Sequence, residues 1–95
     1  MNKRIERKME KLFRKLSNRY DFDECVLIDF YAHSIVGEFI REAQLGCKTF
    51  EIRYNSDSDS DIMFAKDVAK VVELYLEDFK EKGFCNYKVI KRRGC

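Results

Sequence analysis

FEIRYNSDSDSDIMFAKDVAKVVELYLEDFKEKGFCNYKVIK, residues 50–91, changes its hydrophobic period twice, and that change decides the fold the sequence predicts. Phe50, Ile52 and Tyr54 alternate with Glu51 and Arg53, the two-residue period of a half-buried strand, expected over 47–54. Asn55 to Asp61 is a polar, acidic turn. Phe64, Val68, Val71, Val72, Tyr75 and Phe79 then recur at helical spacing and predict a helix over 61–82. Lys80 and Lys82 complement the dipole of its last turn, and Gly83 supplies the stop. Cys85, Tyr87 and Val89 alternate with Asn86, Lys88 and Ile90, a second strand over 85–91. A helix joining consecutive strands favours a parallel pair with a right-handed crossover. Two strands are fewer than a stable sheet needs, and their outer edges offer unpaired N–H and C=O groups. The unit is therefore expected to be completed by other elements, a second copy or a partner.

Upstream, Ile5, Met9, Leu12, Phe13 and Leu16 mark one face of an amphipathic helix within 1–19, which Ser17 and Asn18 bring to an end. Asp23 is the expected N-cap of a second helix, 24–45, with Glu24 in its first turn and Gly46 after its end. Leu27, Ile28, Tyr31, Ile35, Phe39 and Ala43 would face inward. Cys25 to Tyr31 is apolar enough to be a short buried strand instead, with a helix starting near Ser34. The expected fold class is α+β: two N-terminal helices followed by a β-α-β unit with a small, two- to three-stranded sheet, in a single domain of 95 residues.

The net charge of +2 conceals an asymmetry. Met1 to Arg19 carries eight basic residues against Glu6 and Glu10, a local charge of +6, so the remainder sums to −4. Such a split suits a basic helix that meets an anionic surface, or one that docks on an acidic body of its own chain. The first residues are charged throughout, so a reduced, cytoplasmic protein is expected. No apolar run approaches the ~20 residues of a membrane-spanning helix, and no membrane partner is expected. Proline is absent, so no Pro-rich linker divides the chain.

Little in the sequence carries catalytic chemistry. Cys25, Cys47, Cys85 and Cys95 match neither a CxxC pair nor a zinc ribbon, His33 is the only histidine, and no metal or cofactor is expected. Asp57, Asp59 and Asp61 alternate like the first ligands of a calcium loop. That loop also wants glycine at its sixth position and glutamate at its twelfth, where this chain has Ile62 and Val68. The stretch reads instead as a solvated turn whose Asp59 or Ser60 caps the next helix. Asp29 and His33 stand four apart, so the carboxylate can orient the imidazole, and Cys25 precedes them on the same helix. A triad strung along one helix seldom brings sulfur and nitrogen into hydrogen-bond reach. GxSxG, Walker and GxGxxG motifs are all lacking, and a non-catalytic protein is expected.

Binding is better supported. Lys3, Arg4, Arg7, Lys8, Lys11, Arg14 and Lys15 share one short helix and can contact several phosphates. Lys88, Lys91, Arg92 and Arg93 give the C-terminal strand a basic end. The chain is short, rich in Lys, Glu, Asp and Ile, proline-free, and ends in a helix, KEKGF and a strand. In this it resembles small accessory proteins of bacteriophages and mobile elements. The resemblance implies inhibition of a host protein or ribonucleoprotein, such as a defence nuclease, in the manner of anti-CRISPR proteins, within the host cytoplasm. These basic residues are the expected contacts. A homodimer through the sheet edge is a further expectation. The alternative is a DNA- or RNA-binding regulator that uses the basic helix as an electrostatic clamp.

Overall fold

The computed structural model describes residues 2–46, 49–54, 59–82 and 88–93, with the backbone alone for 50, 52–54, 59–62 and 88–93. Three helices make the fold: α1 (Lys3–Leu16), α2 (Phe22–Gln44) and α3 (Asp59–Glu81). The α+β expectation is therefore corrected to an all-α fold. Every buried residue among those described lies on a helix, so no sheet layer forms the core. The segments Thr49–Tyr54 and Lys88–Arg93 are extended and run parallel, Thr49 opposite Lys88 and Tyr54 opposite Arg93. They make a two-stranded ladder. Alternation in the sequence marks local extension. It cannot reveal that the apolar stripes of three helices already satisfy one another. Of the residues expected in strands, 47, 48 and 85–87 lie outside the described set.

α3 is the central element. Val68, Ala69, Val71, Val72 and Leu76 are buried along it, as are Asp67 and Asp78. At 100° per residue these positions cover about 200° of its circumference, wide enough for a helix on either side. α1 lies against one side through Leu16 and the partly buried Met9, Leu12 and Phe13. α2 lies against the other through Ile28, Ala32, Val36 and Phe39. Each fully buried aliphatic side chain contributes about 1.5–3 kcal/mol relative to exposure.

The inward stripe of α2 differs from the expected one. Leu27 and Tyr31 are 42% and 44% exposed, and the buried row is Ile28, Ala32, Val36 and Phe39. Tyr31 instead meets the ring of Phe64 edge-on at 6.1 Å, at the border of the interface. A residue run as apolar as 25–31 offers two overlapping stripes, and only the position of α3 selects between them. The helix also starts earlier than expected. Asp21, not Asp23, is its N-cap, with Glu24 closing a capping box back to the Asp21 N–H. Cys25 to Tyr31 is helical. α3 already begins at Asp59, so Asp59 and Ser60 lie in its first turn, and their side chains lie outside the described residues.

Candidate functional site

α1 is capped by the Asn2 side chain, which accepts from the Arg4 and Ile5 N–H groups at 2.8 and 3.3 Å. Burial of Ile5 and Leu16 at its two ends fixes its rotation about its own axis. That rotation divides its seven cations into two sets. Arg4 and Lys8 face α3: the Arg4 guanidinium bonds the Glu81 carboxylate and lies 3.3 Å from Glu77, and Lys8 Nζ lies 3.2 Å from Glu77. The Asn2 side-chain amide also donates to Glu81. Glu77 is held below the usual carboxylate range, first by its hydrogen bond from Lys8 and then by the neighbouring Arg4. Part of the basic helix thus docks on acidic residues of its own chain.

Lys3, Arg7, Lys11, Arg14 and Lys15 form the second set. All are exposed, and none has a hydrogen-bond or ion-pair partner among the described residues. Lys3, Arg7, Lys11 and Arg14 fall within about 80° of the helical wheel, a basic strip roughly 16 Å long. Lys11 and Lys15 also border a shallow groove between α1 and α3, with Lys70 on its far wall. The structure does not bring Lys88, Lys91, Arg92 and Arg93 into this strip in any described contact. Their backbone is extended, and their side chains lie outside the described residues.

Two polar clusters escaped sequence reasoning in part. The Asp67 carboxylate, 1% exposed, accepts from Arg19 Nη2 at 3.0 Å and from Tyr20 Oη at 2.8 Å, and Lys70 Nζ stands 3.5 Å away. The signal in the sequence was an aspartate on the apolar stripe, three residues after Phe64 and four before Val71. Burial raises the Tyr20 hydroxyl to about 12, helped by its bond to Asp67. Asp78 is also buried. Burial pushes its carboxyl up, but Lys82 Nζ at 3.0 Å prevails and holds it below its ordinary value.

In the second cluster, Asp29 Oδ2 lies 3.5 Å from His33 Nε2, and Asp29 Oδ1 accepts from Tyr75 Oη at 2.7 Å. The His33 and Tyr75 rings lie 4.5 Å apart. Tyr75 is the member the sequence did not announce, because it comes from α3. Its hydroxyl is driven well above the ordinary tyrosine range, first by burial and then by Asp29. Cys25 is half-buried and free, one turn before Asp29. Among the described residues no group of three His, Cys, Asp or Glu side chains is placed to hold a metal ion. Asp57, Cys47, Cys85 and Cys95 lie outside them. Among the described residues no helix is long and apolar enough to cross a membrane.

No family model, curated protein or solved structure matches this chain.

Proposed function

We propose that this is a non-catalytic binding protein that sets the basic face of α1 against an anionic surface and inhibits or modulates the macromolecule that carries it. The observation behind this reading is the second set of cations: five exposed Lys and Arg side chains on one helix, without partners among the described residues, beside two that α3 neutralises. A structural role accounts for Arg4 and Lys8 and leaves the other five without one. The resemblance to phage and mobile-element accessory proteins suggests a host protein or ribonucleoprotein, such as a defence nuclease, as the target.

The test is affinity capture from a bacterial lysate, with and without nuclease, using the native chain and an Arg7→Glu/Lys11→Glu/Arg14→Glu variant. A stoichiometric protein retained after nuclease by the native chain and lost by the variant supports the proposal. The same retention by both proteins refutes it.

The strip geometry also supports a second reading, a DNA- or RNA-binding regulator. Lys3, Arg7, Lys11 and Arg14 follow one another at rises of about 6, 6 and 4.5 Å along the helix, close enough together to meet several phosphates of one strand. This reading expects binding of a 20-base-pair duplex or a 20-nucleotide strand that weakens steeply between 50 and 200 mM salt, as about four phosphate contacts require. The triple variant should then bind neither. Salt-independent binding would remove this alternative.

A further inference from the structure

α1 and α2 both rest on α3, and they leave a shallow groove between them. Tyr75 forms its floor and borders three adjoining depressions along it. Met9 and Phe13 of α1 form one wall, and Phe22 and Val26 of α2 the other. Phe22 is 80% exposed, Val26 51% and Phe30 64%. They repeat every fourth residue along α2, an apolar stripe about 12 Å long that the core does not use.

Acids outnumber cations along this groove: Glu6, Glu10, Asp29 and Asp78 line it against Lys82, which is paired with Asp78. Glu6 and Glu10 are the acids of α1 and line the groove with Met9 and Phe13; at 100° per residue they stand between Phe13 and the basic strip, Glu10 about 20° from Lys3 and 40° from Arg14. Neither carboxylate has an ion pair among the described residues. Within the groove Asp29 is a further anion, bonded to Tyr75 and beside His33. Glu6 and Glu10 thus stand between the cations of α1 and the groove.

We propose that this groove binds an amphipathic, cationic α-helix of a protein partner. The walls are helices whose backbone groups are bonded internally, so they offer no strand edge for an extended peptide, and recognition must run through side chains at helical spacing. An acidic lining repels nucleic acid and anionic lipid and favours Lys and Arg flanking an apolar stripe. A second copy does not supply the helix. The cationic amphipathic helix of this chain is α1, and its Ile5 and Leu16 are fully buried in its own fold.

The probe is an 18-residue Leu/Lys amphipathic peptide carrying one tryptophan, compared with its Leu/Glu counterpart. The protein contains no tryptophan, so the fluorescence reports the peptide alone. The expected result is saturable one-to-one binding of the Leu/Lys peptide, at least tenfold tighter than the Leu/Glu peptide. Val26→Asp or Glu6→Lys/Glu10→Lys should each weaken it tenfold or more. These positions are exposed, and circular dichroism of the variants checks that they fold. Bound peptide should also slow iodoacetamide alkylation of Cys25, which borders the groove, as read by peptide mass mapping. Lys11→Glu, about 160° around α1 from Phe13, should not weaken binding. Absent or non-saturating binding, equal affinity for the two peptides, or indifference to Val26→Asp would overturn the proposal. So would self-association of the protein alone that Val26→Asp abolishes, since that would identify a second copy as the occupant.

Discussion

The hydroxyl of Tyr20 donates to the buried carboxylate of Asp67 at 2.8 Å, across 47 positions of sequence. Arg19 reaches the other oxygen of the same carboxylate. The turn between α1 and α2 is thereby fastened to the inner face of α3, and the paths of both helices follow from that point. Asp67→Ala should destabilise the protein by about 2–3 kcal/mol, and Tyr20→Phe by about 1 kcal/mol. Urea unfolding followed by circular dichroism measures both. A double variant whose loss is the plain sum of the two would show that the residues are not coupled.

Stability should fall at both extremes of pH. The Tyr20 hydroxyl is raised from 10.0 to about 12, so the folded state holds its proton more tightly than the unfolded chain. Its contribution is full below pH 10 and is lost as pH rises toward 12. Glu77 and Asp78 are lowered from 4.5 and 3.8, so their contributions are full above those values and are lost as pH falls through the folded values. Thermal melts should be nearly level between these limits. In Tyr20→Phe the alkaline decline should shrink. An identical alkaline limb in that variant would contradict the assignment.

The two sets of cations on α1 should separate in a stability assay. Arg4→Glu places like charge beside Glu77 and Glu81 and should cost about 1 kcal/mol. Arg14→Glu, with no partner among the described residues, should stay within about 0.5 kcal/mol of the native chain. Chemical denaturation at low salt resolves the difference, and raising the salt should narrow it.

Two glycines should respond to alanine in opposite directions. Gly46 follows the C-terminal cap of α2 with φ +99°, a conformation an L side chain adopts only under strain, so Gly46→Ala should destabilise by about 1 kcal/mol. Gly37 lies in the interior of α2, and a Cβ added there meets nothing within 4 Å. Gly37→Ala should therefore stabilise by roughly 0.5–1 kcal/mol. Thermal midpoints shifted in the same direction would contradict this reading of the backbone.

Local chemistry was the legible part of this chain. The 3.6-residue recurrence of Ile5, Met9, Leu12, Phe13 and Leu16 determined the inward face of α1, and with it the side on which the cations stand. Gly46 marked the end of α2 because a positive φ is a property of one residue. The extended conformation of 49–54 and of 88–93 is likewise local, yet the inference from it to a sheet-based core failed, because a core is made by whichever faces meet.

Tertiary structure alone decided the rest. The sequence of α2 contains two overlapping apolar stripes, and packing on α3 buried Ile28, Ala32 and Val36 while leaving Phe22, Val26 and Phe30 in solvent. Which cations of α1 are neutralised depended on Glu77 and Glu81, more than sixty positions away, and Asp29 gained Tyr75 from 46 positions away. Periodicity and capping act over a few residues and can be read in order along the chain. Ion pairing and burial depend on separation in space, and that is set only when the helices have packed.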